Sequence, residues 1–395
     1  MSPTRFPPPS VILLAALVTL PQIGETIYTP ALADLAAGLA ISESQAQTSL
    51  SVFFLGFALG VLVWGRFSDR WGRRPALLAA LAVYAAGSWL CVGAEGLAML
   101  RAGRAVQAFG AAACSVVIQA VCREAFQGED RVRVFATIGM LIPLSTAIGP
   151  LLGGMVTTLW GWRATLTLLL MMGLVLWLAV WRALPETGGG PTPALLPVVR
   201  RMLGDRFIAG MVAVIGIANG VLFSYHGEAP FLLIQSGGLT PAEYGLTGLW
   251  VVSGSVVGAI ILRYLGWKGW ESGALIRLGL IGMLLAAGGL AGVAGLSTRD
   301  FALVPFIAFA ALLFTGFTLT TTVCLHRALE RYHDALGTAG AVMGLAYYAV
   351  VAAVTQGMAA LHDGQSITFP LYSMALVLLA LLAYVALLRP GLKGS

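Results

Sequence analysis

The chain has 395 residues, of which 58% are hydrophobic and only 10% are charged, and its mean hydropathy is +0.89. Soluble domains carry about 25% charged residues, so this composition excludes an ordinary water-soluble protein and predicts an integral membrane protein. A spanning helix needs about 20 residues, so about a dozen crossings fit and almost no chain is left for a soluble domain.

Twelve apolar segments, bounded by glycine, proline or charged residues, predict twelve membrane-spanning helices. They cover residues 11–34, 45–65, 76–94, 97–121, 132–158, 163–182, 207–234, 242–264, 273–296, 303–325, 337–361 and 367–388. No cleavable signal peptide is evident, so the first helix is expected to be retained. The interval 183–206 is rich in proline and glycine and has a basic end, which predicts a cytoplasmic linker. The expected architecture is all-α, with one six-helix bundle in 1–182 and another in 207–395.

Lysine and arginine residues are distributed unevenly over the loops. All 23 except Arg101, Arg104, Arg163 and Arg299 fall at ends that would be cytoplasmic if both termini were inside. Short loops rich in positive charge stay in the cytoplasm, so we expect this topology. It accounts for the net charge of +6 without a nucleic-acid or other anionic partner.

The first and seventh segments resemble each other. The first contains "GETIYTPAL" and the seventh "GEAPFLL", so each places Gly-Glu shortly before a proline. Repeated halves are a common construction in transporters. The repeat places one acid in each of these helices, Glu25 in the first and Glu228 in the seventh.

Glu25 lies near the centre of the first predicted helix, and Arg104 lies at a similar depth in the fourth. A charged carboxylate near mid-membrane costs at least about 2.5 kcal/mol, and such residues commonly mark proton or substrate pathways. We interpret Glu25 as a group that alternates between holding a proton and favouring substrate, with Arg104 tuning the exchange. The alternative is a static structural ion pair between the two.

Glu228 is predicted to lie about 10 Å outward of the middle of the seventh helix. There it is a second protonatable site, a cation selector or a wetted loop acid. His226 beside it is either a pH-responsive group or a structural histidine.

The four cysteines lie in or at the end of apolar segments and show no Cys-x-x-Cys spacing. We interpret them as small buried side chains rather than as disulfides or metal ligands. They are Cys91, Cys114, Cys122 and Cys324.

The loop after the second segment reads "GRFSDRWGRR". Its glycines allow a tight turn, and its aspartate can sit among guanidinium groups or at the N-terminus of a neighbouring helix. Such a cluster can hold one arrangement of helices and be broken and remade, whereas the alternative is a merely solvated basic loop. The spacing resembles the G-x-x-x-D-R-x-G-R-R signature of the major facilitator superfamily. The residues that carry it are Gly65, Asp69, Arg70, Gly72, Arg73 and Arg74.

Other stretches resemble the 12-span drug:proton antiporters of that superfamily. "RAVQAF", with Arg104 and Gln107, is similar to their buried-arginine motif. "STAIGPLLGG" is similar to their Gly-Pro motif, although Ser145 stands where the family often has another glycine. The matching residues of the second motif are Gly149, Pro150, Gly153 and Gly154.

Longer stretches, among them "CREAFQGEDRVRVFATIGMLIPLSTAIGPLLGG" and "GTAGAVMGLAYYAV", resemble the Bcr/CflA branch, which confers bicyclomycin and chloramphenicol resistance. Two departures bear on the substrate. The acid of the first helix, Glu25, stands one position earlier than in the branch. In the seventh helix, His226, Gly227 and Glu228 replace small residues.

The resemblance implies a major facilitator fold of two pseudo-symmetric six-helix bundles that works by alternating access. The Gly149-Pro150 pair would supply a bend around which the halves seal. Proton coupling is expected of Glu25, Arg104 and Glu228. A substrate cavity is expected to be lined by Tyr28, Gln107, Tyr225, His226 and Tyr347, although aromatic residues of spanning helices also pack against lipid or other helices.

We therefore expect a transporter that exports a drug-like small molecule in exchange for protons, as a monomer in the inner membrane of a bacterium. The proton gradient is the expected energy source, and no cofactor or metal is expected. The chain has no Gly-x-x-x-x-Gly-Lys-Ser/Thr phosphate loop, which argues against ATP as the driving force. The alternative substrate is one secreted metabolite such as a siderophore, which His226 and Glu228 would suit.

Two other classes are disfavoured. An intramembrane enzyme would need a catalytic constellation, and neither His-Glu-x-x-His nor Gly-x-Ser-x-Gly occurs. A passive channel would need a ring or filter, which a single chain of unlike helices does not offer.

Overall fold

The computed structural model describes residues 9–188, 195–296, 302–332 and 335–392. Within these ranges the regular structure is helical, and twelve segments are long and apolar enough to cross a membrane, as predicted. We number them span 1 to span 12. In order they are Val11–Gly38, Glu43–Trp71, Arg73–Val92, Leu97–Ala125, Gly128–Trp160, Trp162–Ala183, Arg206–Ser236, Pro241–Trp267, Ser272–Gly295, Leu303–Ala328, Gly337–Leu361 and Thr368–Leu392.

The two halves of the chain pack in the same pattern. Span 1 packs against span 5, span 2 against span 4 and span 3 against spans 4 and 6. The second half repeats this pattern. Span 7 packs against span 11, span 8 against span 10, and span 9 against spans 10 and 12. Spans 1–6 therefore form one bundle and spans 7–12 a second, related by an internal repeat.

Two seams join the bundles. Span 2 packs along span 11, and span 5 packs along span 8. In the second seam the backbones approach closely because glycine replaces larger side chains. A Cβ at Gly154 would overlap the backbone of Pro241, and one at Gly245 would meet the carbonyl oxygen of Pro150.

The segment between the bundles contains a helix, Leu195–Leu203, where the sequence indicated a proline- and glycine-rich linker. Residues 189–194 of the predicted linker, and the predicted cytoplasmic termini beyond residues 9 and 392, lie outside the described residues. The helix buries Val198 and Met202 against spans 7 and 11 and exposes Leu196 and Leu203. This one-sided burial explains a helix in a segment whose composition suggests a coil.

The first span of each bundle is interrupted. In span 1 the α-helix ends at Thr26, a 3₁₀ turn covers Thr29–Ala31, and an α-helix resumes over Leu32–Gly38. In span 7 the α-helix ends at Pro230 and continues as a π-helix over Phe231–Ser236. A proline lacks the N–H that a continuous helix needs, and irregular turns inside helices frequently mark functional positions. Glu25 and Glu228 each lie just before such an interruption.

Capping boxes fix the starts of spans 2 and 8, the next spans of each bundle. Ser42 accepts from the backbone N–H of Gln45, whose side chain accepts from the backbone N–H of Ser42. Thr240 and Glu243 make the same reciprocal pair. These boxes satisfy N–H groups that a helix start leaves unpaired. The first box also positions Glu43, the first residue of span 2.

Candidate functional site

Arg104 lies at the centre of the first bundle. Its side chain is fully buried, and its guanidinium carbon lies 4.0 Å from the ring centre of Tyr28 and 4.3 Å from that of Phe53. Nη1 donates to Oε1 of Gln107 over 2.5 Å, and Nη2 donates to the carbonyl oxygen of Gly24 over 3.1 Å. The cation therefore ties span 4 to spans 1 and 2 through neutral partners and aromatic faces.

Gln107 and Tyr28, both expected to line a substrate cavity, are also engaged by the protein. Gln107 Nε2 donates to Ser88 Oγ over 2.8 Å, and the Tyr28 hydroxyl is 3.1 Å from Ser49 Oγ. The structure thus brings these two residues together with Arg104. In this arrangement they hold the arginine in place.

Glu25 lies beside this group without being bonded to it. Its side chain is buried, and Oε1 has no hydrogen-bond partner among the described residues. Salt bridges within 4.0 Å among those residues do not include one between Glu25 and Arg104. The carboxylate is within electrostatic range of Tyr347 and Tyr348, which belong to span 11 of the other bundle. It therefore faces the boundary between the bundles with no cation fixed on it.

Aromatic rings from both bundles meet near this boundary. The ring centre of Phe57, in span 2, lies 4.6 Å from that of Tyr348, and the ring centres of Tyr348 and Tyr347 are 4.3 Å apart. Phe54 of span 2 lies 4.4 Å from Phe223 of span 7. The result is an aromatic wall that the two bundles share.

Tyr225 and His226 lie in a different place, at the seam of spans 5 and 8. Both are buried, and the two ring nitrogens of His226 have no hydrogen-bond partner among the described residues. The His226 ring packs 5.8 Å from Phe314, and a small cavity beside it is also lined by Thr146 and Tyr244. Among the residues that the structure describes, no hydrogen bond joins this pair to the Arg104 group.

Glu228 belongs to a third cluster, at the ends of the spans opposite the basic loops. It is buried, and its Oε1 accepts from Gln47 Nε2 over 3.1 Å. His362, immediately after span 11, places Nδ1 2.8 Å from Glu228 Oε1 and Nε2 2.9 Å from Glu43 Oε2. Burial alone would lower the pKa of His362, but hydrogen bonds and charge from Glu228 and Glu43 outweigh burial and raise this pKa to about 9.

Three members of this cluster, Glu43, Gln47 and His362, escaped the sequence-based predictions. Each is a single polar residue at the end of an apolar segment, a position where wetted polar residues are ordinary. Their importance depends on the pairing of span 2 with span 11, which brings together residues more than 300 positions apart. The one available signal was that His362 is among only four histidines in the chain.

The basic loop between spans 2 and 3 is an ion-pair network rather than a solvated loop. Arg73 lies 2.5 Å from Asp69 and 2.6 Å from Glu124 of span 4, and it also donates to Ser68. The backbone N–H groups of Arg73 and Arg74 donate to Glu186, just after span 6, over 2.7 and 3.2 Å. Glu186, and not Asp69, therefore occupies the positive N-terminus of span 3. Glu124 and Glu186 were not foreseen, because their partners lie on distant segments.

The glycines of this loop differ in how strictly their positions require glycine. Gly72 has φ of +100°, a conformation that L side chains rarely adopt, and a Cβ there would meet the Glu186 carboxylate. A Cβ at Gly65 would make ordinary van der Waals contact with Val116 and Ala341, so that position does not strictly need glycine. Arg70 is exposed and lies over the ring of Trp71, and Arg74 donates to the carbonyl oxygen of Trp181.

The Gly-Pro motif of span 5 packs against the interrupted part of span 1. A Cβ at Gly149 would overlap the Thr26 hydroxyl, and one at Gly153 would overlap the carbonyl oxygen of Ile27. Gly154 contacts span 8 instead, as does the neighbouring Pro150. The motif therefore lets span 5 approach span 1 and the second bundle together.

The twelve spans, the repeated halves and this loop network are consistent with the protein family that the sequence matches. Residues 14–355 match the model of the Major Facilitator Superfamily. The chain belongs to this superfamily. Membership makes it a multi-pass membrane transporter of small molecules rather than an enzyme.

Relatives within the superfamily include efflux proteins. The chain is 31% identical to an "Uncharacterized transporter" of Rickettsia bellii (strain RML369-C), over 92% of this chain and 93% of the relative. It is 28% identical to "Multidrug resistance protein D" of Escherichia coli (strain K12), over 85% and 84%. It is 25% identical to a "Bicyclomycin resistance protein homolog" of Haemophilus influenzae (strain ATCC 51907 / DSM 11121 / KW20 / Rd), over 97% of each. These relatives agree with the Bcr/CflA-like branch.

A solved structure supports the fold. The xylose transporter XylE of E. coli in its inward open conformation superposes with a TM-score of 0.75 and 14% identity, covering 96% of each chain. At this identity the likeness shows the major facilitator fold alone.

Proposed function

We propose that this major facilitator is an antiporter that exports drug-like small molecules from the cytoplasm in exchange for entering protons. It would work in the bacterial inner membrane with both termini in the cytoplasm, powered by the proton gradient and without a cofactor. The observation that carries the proposal is Glu25, a buried carboxylate with an unpartnered oxygen at the boundary of the bundles. Intramembrane acids in such positions serve proton relays.

The surroundings of Glu25 suit reversible protonation better than a static ion pair. Arg104 is held by Gln107, Gly24 and two aromatic rings, so its charge is already stabilised without Glu25. Its positive charge nevertheless acts on Glu25 without being paired with it. Tyr347 and Tyr348 belong to the other bundle, so the environment of Glu25 changes whenever the bundles rock.

The proposed cycle has these steps. A proton entering from outside neutralises Glu25, and the bundles then rearrange so that the site faces the cytoplasm. Arrival of substrate favours release of the proton to the cytoplasm, and the loaded carrier returns. Arg104 tunes the exchange and Glu228 is the outer proton-binding position.

The substrate would bind where the aromatic wall meets Glu25. Tyr347 contributes to that wall, with Tyr28 and Gln107 behind it, and Tyr225 and His226 extend the lining toward the seam of spans 5 and 8. Aromatic faces favour flat apolar molecules. The names of the bicyclomycin and multidrug resistance relatives support a drug-like substrate.

One observation favours a second candidate, a dedicated exporter of a secreted hydrophilic metabolite such as a siderophore. His226 buries two unpartnered ring nitrogens, and burying polar groups without partners is costly. A polar substrate that hydrogen bonds to His226 would offset that cost.

The test uses inside-out vesicles that hold a respiration-driven pH gradient. Cationic drugs, neutral antibiotics and a hydroxamate siderophore are added in turn while a pH-sensitive dye is followed. We expect one class to discharge the gradient in the native protein and in Glu129→Gln, a matched change at an exposed acid. Glu25→Gln should not discharge it. Undiminished coupled transport in Glu25→Gln would overturn the assignment of Glu25.

A further inference from the structure

The cluster of Glu43, Gln47, Glu228 and His362 joins the two bundles at the ends of the spans opposite the basic loops. We call it the outer latch. Glu43 and Gln47 belong to span 2 of the first bundle, whereas Glu228 and His362 belong to span 7 and the end of span 11 of the second. Within the described part of the chain, side-chain hydrogen bonds between the bundles occur only in this half of the molecule.

His362 is the centre of the latch. Its side chain is 6% exposed, and each ring nitrogen lies within 3.0 Å of a carboxylate oxygen, Nδ1 with Glu228 and Nε2 with Glu43. A neutral imidazole has one N–H and can donate to only one of them, whereas an imidazolium donates to both. The two carboxylate contacts therefore fit the protonated ring, with two charge-assisted hydrogen bonds. Gln47 Nε2 also lies 3.0 Å from Nδ1, and in this arrangement it donates to Glu228 instead of to the ring.

Loss of that proton changes the sign of the interaction across the seam. With His362 neutral, Glu43 and Glu228 face the same ring from opposite bundles as two unneutralised carboxylates, and like charges at this range repel. The attraction between the two bundles at the outer latch is thus replaced by repulsion. Glu228 and His362 share a bundle and can separate from Glu43 as one unit.

We propose that His362 is a proton-controlled latch, which in its protonated form holds the outer ends of the two bundles together. The inference rests on the proposed function for the identity of the outer face. It goes beyond it in assigning gate closure to a residue distinct from the proposed coupling acid, Glu25. Protons arriving from outside would then close the outer gate as well as drive transport.

The direction of the pH dependence follows from the pKa of His362. In the closed latch this pKa is raised to about 9, and on opening it falls to between about 9 and its usual value near 6.5, because the contribution of Glu43 is lost while Glu228 stays beside the ring. A raised pKa stabilises the closed state fully below about pH 6.5, and this stabilisation is lost as pH rises toward 9.

Other charged groups face the latch from the packed elements. Asp363 follows His362, and hydrogen bonds from the Thr368 hydroxyl and the Gln365 backbone lower its pKa, so it stays ionised across the relevant range. Arg101 of span 4 donates to Thr48, the residue after Gln47 in span 2. Asp363 adjoins His362 and acts on it as a constant negative charge over this range, and no hydrogen bond joins Arg101 to His362 among the described residues. The titration between pH 6.5 and 9 is therefore assigned to His362 with its two carboxylates.

Distance measurements across the gate test the latch without any substrate. Spin labels go on introduced cysteines at Ala37 and Gln365, which are exposed on opposite bundles, while the native cysteines are buried. Electron–electron resonance distances are recorded in nanodiscs from pH 5 to 10. We expect a short distance to dominate below pH 6.5 and a longer one to grow as pH rises to 9.

Two variants and one control decide the outcome. His362→Gln should show the longer distance at every pH. Glu43→Gln should move the midpoint down by about 1 to 3 pH units, the shift that loss of a neighbouring charge produces. His326→Gln, at an exposed histidine on the opposite end of span 10, should leave the native curve unchanged. A native distance that ignores pH, or a His362→Gln curve like the native one, would overturn the proposal.

The same labels separate this proposal from the proposed function. Glu25→Gln should keep the pH response of the distance even though coupled transport is lost. A failed transport assay therefore leaves the latch standing. A failed distance assay leaves proton coupling through Glu25 standing.

Discussion

Arg104 illustrates how a buried cation is tolerated in a membrane protein. Burying a guanidinium is costly unless its charge and N–H groups find partners. Here two ring faces, one side-chain amide and one backbone carbonyl supply partners for the charge and for both terminal nitrogens, whereas Nε has no hydrogen-bond partner and no carboxylate is fixed on the guanidinium among the described residues. The proposed role of Glu25 needs this arrangement, since Arg104 can then stay in place while Glu25 changes protonation state.

The first residue-scale prediction concerns Arg104→Lys. A lysine keeps the charge but cannot stack as a planar group or donate in two directions from the same fork. We expect a stability loss of about 2 kcal/mol, the typical value of a hydrogen bond to a charged group, and at least about a tenfold loss of transport. Thermal unfolding measures the loss of stability, and dye-monitored transport measures the loss of transport. Arg133→Lys, at an exposed arginine, is the control, and equal behaviour of the two variants would contradict this account.

The second residue-scale prediction concerns Glu186→Ala. Glu186 accepts from two backbone N–H groups at the start of span 3, so its loss leaves them unpaired at a helix N-terminus. We expect the free energy of unfolding to fall by about 1 kcal/mol, measured by thermal or denaturant unfolding. Glu95→Ala, at an exposed acid, should have little effect. If both variants unfold alike, the contact does not stabilise the helix.

At the scale of whole elements, the membrane-spanning helices were predictable and their partners were not. The runs of apolar residues predicted twelve spans because each crossing needs about 20 such residues, regardless of which other helices pack against it. The contact of span 2 with span 11, which creates the outer latch, depends on tertiary packing between segments far apart in sequence. For the same reason Asp69 and Arg73 were recognised by their spacing, but Glu124 and Glu186, which complete their network, were not.

The linker and the interrupted spans show a second limit. The helix Leu195–Leu203 contains Pro197 in its first turn, a position that helices tolerate, so composition alone suggested a coil. The shared Gly-Glu before a proline marked the positions where spans 1 and 7 lose regular α-geometry. Whether the turn becomes 3₁₀ or π-helical depends on packing around it.

The element-scale prediction concerns the seam of spans 5 and 8. In Gly154→Ala the added Cβ would overlap the backbone of Pro241, so the bundles must separate at their outer ends. We expect the label pair at positions 37 and 365 to show a larger share of the longer distance than in the native protein at pH 6. Gly139→Ala on the same span is the matched control, because a Cβ there meets nothing within 4 Å. An unchanged distance in Gly154→Ala would show that the seam adjusts without opening.

At the scale of the whole molecule, the structure places its polar groups in three layers. The Arg73 network joins segments of the first bundle at the basic end, the Arg104 group lies inside the first bundle with Glu25 facing the other bundle, and the outer latch joins the bundles at the far end. Only the outer layer bonds the bundles through side chains, among the residues described. This is the arrangement of a carrier closed at the end opposite its basic loops.

The central claim is that Glu25 couples protons to substrate movement. It is tested most directly in liposomes by comparing two activities of the same variant, exchange of labelled for unlabelled substrate without a pH gradient and uphill uptake driven by one. Glu25→Gln is predicted to keep exchange, because alternating access remains, and to lose uphill uptake, because no proton is carried. Uphill uptake in Glu25→Gln equal to that of the native protein would contradict the claim.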